Sequence, residues 1–381
     1  MKHALLVFIM VILSACRQIA TPSPTATPSL TAYPPLDTTM YLGGAVHGGV
    51  FPGPALRQSP HLLWTFQTGD KIRSTPAVTG GRVFIGSRDH YLYVLDALTG
   101  AVIWKFEAGN EIVSSPAVAD GRVYVGSLDH RIYAVDAETG SEVWHVESRD
   151  EIYASATVVD GIVYIGSGDG HLYALDAASG ATVWDVNASG SIWASAAVSD
   201  GVVTIGTIAG EVLALDAKTG AERWRYTVGD VIWASPVVSN GVVTIASQHK
   251  TLYALDAATG DVIWELKAGA PINSTPVVIE DRIFVASAVG TISALDLQGK
   301  SIWQAEIGGP LYAALSYSDG VLYAVTEKDG SIFALDASTG AQLWRFQTGY
   351  QGDWRSSSAV LAGGVLYVGS NDGKVYALGS P

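Results

Sequence analysis

The chain has 381 residues, nearly half of them hydrophobic, with 22 basic and 36 acidic side chains for a formal net charge of −14, and a single cysteine. That balance argues against nucleic acid and against adhesion to anionic lipid headgroups as partners. One cysteine excludes an intrachain disulfide and any Cys-x-x-Cys metal or redox motif.

Met1-Lys2-His3 is a short basic start to an apolar stretch over residues 4–13, too short to cross a bilayer as a mature helix. It ends in Leu13-Ser14-Ala15-Cys16, which resembles a bacterial lipoprotein signal cleaved before a lipidated cysteine. Residues 1–15 therefore read as a signal peptide and Cys16 as the lipidation site, against the plainer reading of an ordinary signal with a chance cysteine. The expectation is an exported chain, lipid-anchored to the bacterial cell envelope at the outer membrane or the outer face of the cytoplasmic membrane. Residues 16–35, rich in Thr, Pro and Ser, read as an extended tether. Residues 36–60, with Gly43-Gly44, Gly48-Gly49 and Pro52-Gly53-Pro54, read as an irregular lead-in.

From residue 61 to 381 the chain repeats. Asp96, Asp136, Asp176, Asp216, Asp256, Asp296 and Asp336 are spaced by 40, each opening an Asp-x-x-Thr-Gly-like turn. Trp104, Trp144, Trp184, Trp224, Trp264, Trp303 and Trp344 follow these aspartates, and Trp64 stands one period before Trp104. In the unit 72–104, an apolar run precedes the strand-like Val83-Phe84-Ile85-Gly86-Ser87. Arg88-Asp89-His90 turns the chain into Tyr91-Leu92-Tyr93-Val94-Leu95, and Asp96-Ala97-Leu98-Thr99-Gly100 turns it again into Ala101-Val102-Ile103-Trp104. Four short strands and four tight turns fill one propeller blade, and stacked blades bury each other's faces. The middle strand recurs eight times, and the last unit lacks its tryptophan strand, which the orphan around Trp64 supplies. The expected fold is all-β: an eight-bladed β-propeller with four-stranded antiparallel blades, closed by pairing the N- and C-terminal strands.

The Leu-Asp-Ala-x-Thr-Gly motif with its trailing tryptophan resembles the tryptophan-docking motif of quinoprotein-type, PQQ-like eight-bladed propellers over roughly residues 41–381. The resemblance implies that each motif tryptophan packs between its own blade and the next. It also implies one of two roles. One is a non-enzymatic envelope lipoprotein like that of the outer-membrane β-barrel assembly machine, binding proteins or peptides. The other is a pyrroloquinoline quinone (PQQ) and Ca²⁺-dependent dehydrogenase of alcohols or sugars. The dehydrogenases use adjacent cysteines over the cofactor and long insertions between blades, and this sequence has neither. The expectation is a monomeric binding scaffold with no catalytic residues, no metal and no resident cofactor.

Sites in repeat proteins sit where the repeats differ. Aligned at one position of the eight units are Arg73, Val113, Tyr153, Trp193, Trp233, Asn273, Tyr312 and Arg355, with Trp354 in the neighbouring slot that is isoleucine in six of the other units. These positions, read as the start of the innermost strand, should converge at one mouth of the central channel. Arg73, Tyr153, Trp193, Trp233, Asn273, Tyr312, Trp354 and Arg355 are thus the candidate binding face, aromatic walls with arginine corners. The competing reading is that the rings merely fill the axis. Glu111, Glu151 and Asn273 are the available oxygens for a cation and Asp150 or Asp230 for a base, with no spacing that sets them apart. His90, His130, His171 and His249 fall in turns of different blades, too far apart for one metal site. The repeat aspartates read as turn caps.

Overall fold

Each repeat folds into a four-stranded antiparallel sheet in the computed structural model, which describes residues 39–349 and 357–380. Cys16, Trp354 and Arg355 lie outside those residues. Eight such sheets follow one another as blades, and no described helix is long and apolar enough to cross a membrane. In blade one the strands are Ala77–Thr79, Arg82–Gly86, Tyr91–Asp96 and Val102–Glu107, in that order from the axis outward. The first strands of most successive blades touch, which places them around the channel. Gly80 and Gly81, both with positive φ, form the two-residue turn that matches the strands' twist.

The ring closes as the missing strand requires. His61–Gln67 pairs antiparallel with Lys374–Gly379, so the eighth blade combines the first described strand with the last three.

One boundary differs from the reading of the sequence. Regular pairing of the inner strand begins at Ala77, and residues 72–76 are irregular. The reason lies in a side chain. Ser74 Oγ takes both ladder groups of Gly86, accepting from its N–H at 2.9 Å and donating to its carbonyl at 2.8 Å. Ser114 does the same for Gly126. The segment nevertheless keeps a period of two, with Ile72 and Ser74 buried and Arg73 between them half-buried.

One tryptophan contact recurs at the seams between blades. The Nε1–H of Trp64, Trp104, Trp144, Trp184 and Trp224 donates to the carbonyl of Ala97, Ala137, Ala177, Ala217 and Ala257 in the next blade. Trp264 and Trp303 donate likewise to Leu297 and Ala337. The glycine ending each turn lies flat on the same indole. A Cβ at Gly180, whose φ is +74°, would sit 2.8 Å from Trp144 Cδ2, so only glycine fits. The motif aspartates are turn caps: Asp96 Oδ1 accepts from the Leu98 and Thr99 amides and from the Thr99 hydroxyl.

The lead-in is part of this body. It crosses the inner strands, with the carbonyls of Thr39, Ala45 and Val46 accepting from the amides of Val118, Val198 and Val238 in blades two, four and five. At blade seven Tyr317 donates to Gly49 and accepts from Phe51. The lead-in's own Leu42, His47, Phe51 and Leu56 are buried. The eighth blade has no aspartate turn to receive Trp344, and Leu56 of the lead-in supplies the carbonyl instead, at 2.6 Å.

Candidate functional site

The period of two that buries Ile72, Ile112, Ile152, Ile192, Ile232, Ile272 and Leu311 turns the next residue of each blade toward the axis. Arg73, Val113, Tyr153, Trp193, Trp233, Asn273 and Tyr312 accordingly line one cavity of about 480 Å³ at the channel. All seven are half-buried. The convergence read from the alignment therefore holds for every described member of that set.

Aromatic rings form the wall from blade three to blade five. Tyr153 and Trp193 have centroids 5.0 Å apart at 40°, and Trp233 follows on the next blade. The Tyr153 hydroxyl donates to Glu151 Oε2, which fixes the ring's outer edge. Burial and the nearby Glu327 raise the Tyr312 phenol above its usual range, so it stays neutral at physiological pH.

Two residues beyond each described member of that set lies a second ring that the sequence reading did not single out. Blade eight joins it through Ser358, three residues beyond Arg355 and so one out of the alignment read from the sequence. Thr75, Ser115, Ser155, Ser195, Ser235, Thr275 and Ser358 all line the cavity. The amide of each of the first five donates to the hydroxyl of the next blade's residue, at 2.9–3.0 Å, and Ser358 N–H donates to Thr75 Oγ1 at 3.2 Å. Ala314 interrupts the circle in blade seven. The signal was present as a hydroxyl at every fortieth residue, but a conserved-looking serine within a repeat reads as packing. Tyr41 of the lead-in and Gln248 also reach the cavity, and nothing in the sequence placed Tyr41 there.

Of the acidic candidates, Glu151 stands beside the wall, accepting from the Tyr153 hydroxyl, and the others make contacts of their own. Glu111 forms an ion pair with Arg88 at 2.7 Å. Asp150 Oδ1 accepts from the Glu151 amide, and Asp230 pairs with the His249 ring at 2.7 Å. None of Glu111, Glu151, Asp150 or Asp230 is a lining residue, and Arg73 is the one charged side chain of the described lining. Asn273 does line the cavity, and its Oδ1 is buried without a hydrogen-bond partner. His90, His130, His171 and His249 are not gathered into a metal-binding group among the described residues.

A family model of the β-alanine-activating enzyme β-propeller matches residues 118–325, more than half of the chain. Over 90 residues the chain is 36% identical to the outer membrane protein assembly factor BamB of Salmonella typhimurium (strain LT2). That stretch takes in 20% of this chain and 23% of the relative, so the match spans less than a quarter of the relative's length. The crystal structure of BamB from Moraxella catarrhalis superposes with a TM-score of 0.72 at 20% identity, over 84% of this chain and 100% of that one. The quinohemoprotein alcohol dehydrogenase of Comamonas testosteroni superposes with a TM-score of 0.76 at 17% identity, over 91% and 81% of the two chains. At such identities these structures establish the shared eight-bladed fold, as the tryptophan motif implied, and the site must decide the role.

Proposed function

The chain belongs to the family of the β-alanine-activating enzyme β-propeller, and on that footing we propose that it is a non-catalytic binding scaffold of the cell envelope. Its channel mouth grips a segment of a protein or peptide. The observation that carries this reading is the lining itself: a wall of Tyr153, Trp193, Trp233 and Tyr312 with Arg73, over a floor of hydroxyls and with no described carboxylate. Rigid aromatics offer large contact area at low entropic cost, and arginine adds orientation for a carboxylate or carbonyl. The segment similar to BamB supports a place in outer-membrane protein assembly, with the chain tethered through Cys16 and partnered by other envelope proteins.

A quinone-dependent dehydrogenase requires a Ca²⁺ held by hard, mostly anionic oxygens and a base beside the substrate. The described lining offers hydroxyls, the Asn273 and Gln248 amides and one arginine, a donor set that does not fit the ion. Asp150 and Asp230 are committed to a turn and to His249. We therefore derive no redox step.

The test is a photoreactive benzoylphenylalanine placed at Trp233 in the full chain, in cells that express it. Adducts with an envelope protein are expected there, absent when the same probe replaces exposed Glu222, and weakened by Arg73→Ala. Alcohol- or sugar-dependent dye reduction that requires added PQQ and Ca²⁺ would overturn the scaffold reading.

A further inference from the structure

A second place where the repeat departs from itself lies between the outer strands of blades five and six. At the other seams the third strand of a blade presents a large side chain to the fourth strand of the blade before it. Tyr93, Tyr133, Tyr173, Tyr253, Phe333 and Tyr376 hold this position, each at most 8% exposed, and Leu213 fills it in blade four. Where the preceding blade also carries a ring, the two meet edge to face: Phe66 with Tyr93 and Phe106 with Tyr133, both at 5.2 Å. In blades one, two, three and eight the hydroxyl end of the tyrosine donates to an aspartate four residues earlier: Asp89, Asp129, Asp169 or Asp372.

Blade six has lost both partners. Ser293 stands where the ring should be and Val289 where the carboxylate should be. Facing them from blade five is Leu266, not an aromatic. The result is a cavity of about 380 Å³ walled by Leu252, Leu266, Ile272, Val285 and Leu295, with Ser293 in its side and Val289 at its mouth. Val289 is 58% exposed, the most exposed large hydrophobic residue described. The wall is apolar and rigid, since both blades are paired sheets, so it does not collapse to fill the gap.

We propose that this cleft is a binding site for one apolar aromatic ring supplied from outside the chain. The neighbouring seams show what the space takes, because the same backbone geometry holds a six-membered ring there in six of the other blades. The substitution of Val289 for the aspartate shows which ring. The carboxylate that receives the phenolic hydroxyl in blades one, two, three and eight is absent here, so the site takes a phenyl or benzyl group in preference to a phenol. Gln304 Nε2 donates to Ser293 Oγ at 3.3 Å and Thr291 to Glu306 at 2.7 Å, leaving a polar rim around the apolar interior. The ring comes from a free aromatic molecule or from a phenylalanine side chain of a bound protein.

The experiment is methyl NMR of the full chain titrated with toluene. Saturable shifts at Leu266, Leu295 and Val285 are expected, with phenol binding more weakly. Ser293→Tyr combined with Val289→Asp restores the motif of blades one to three and should abolish binding while raising Tm. Leu266→Phe, which copies Phe66 and Phe106, should weaken binding independently. A capped Ala-Phe-Ala peptide binding more tightly than toluene identifies a protein side chain as the source, and weaker peptide binding identifies a free molecule. Shifts confined to the Val113 methyls at the channel mouth, no saturable shift, or undiminished binding in both variants would each overturn the proposal.

Discussion

The tryptophan contacts between blades and the mouth of the channel are built from the same repeat, yet one is uniform and the other is not. At a seam every blade meets a copy of itself across the same rotation, so one solution serves all. Tryptophan on glycine, with its N–H on the next blade's carbonyl, recurs from Trp64 to Trp303, and at Trp344 the lead-in reproduces it through Leu56. At the mouth no copy is met. Position 73 and its equivalents face a shared cavity, and their identities run from arginine through valine and tryptophan to asparagine. Uniformity marks what the fold needs; divergence marks where the fold leaves the side chain free for another purpose.

The largest effect should separate the two kinds of tryptophan. Trp144→Ala removes a buried ring and its hydrogen bond to Ala177, and is expected to cost about 3–5 kcal/mol in urea denaturation. Trp193→Ala, at a half-buried position, is expected to cost less than about 1 kcal/mol while impairing partner capture. Equal losses would break the comparison. Next comes acidification, which tests the lead-in that crosses the inner strands. Burial holds the His47 imidazole down at about 4 from 6.5. Its protonation therefore favours the unfolded chain. The stability it secures is complete above pH 6.5 and is lost progressively as pH falls toward 4, roughly 3 kcal/mol by linkage. His47→Phe should flatten that limb in Tm measured against pH.

Gly180→Ala sharpens the seam further. It combines a positive φ with a clash against the Trp144 indole, and should cost more than about 1 kcal/mol by thermal unfolding. The smallest effect belongs to the turn caps. Hydrogen bonds from Arg223 and Thr219 lower the Asp216 carboxyl from 3.8 to about 2. Its contribution is present above pH 4 and fades as pH falls through 2. Asp216→Asn should remove that acid limb in a melting series and lower Tm slightly at neutral pH, where the carboxylate's contribution is present.

Much of the channel mouth was legible because alignment alone fixes which residue of each unit occupies a given place. Arg73, Tyr153, Trp193, Trp233, Asn273 and Tyr312 needed only the period and the alternation after Ile72. The path of the lead-in was not legible. Residues 39–56 have no periodicity, and their partners Val118, Val198, Val238 and Tyr317 are scattered over some two hundred positions of sequence. The start of the inner strand was misplaced because Ser74 imitates a backbone partner with its hydroxyl, which local propensity does not register. Ser293 and Val289 were visible as departures, but a missing ring becomes a cavity only once Leu266 of the previous blade is known to face it.

The sequence by itself determined the blade, the number of blades and the closure, because each follows from a local pattern repeated at fixed spacing and from one strand left over. Only the tertiary structure decided what the ring encloses: a hydroxyl circle under an aromatic mouth, a lead-in laid across the inner strands, and one seam left unfilled. These depend on which blades face one another around an axis. A linear pattern specifies the neighbours along the chain, whereas the spaces at the axis and in the seams arise from contacts among units that the ring alone brings together.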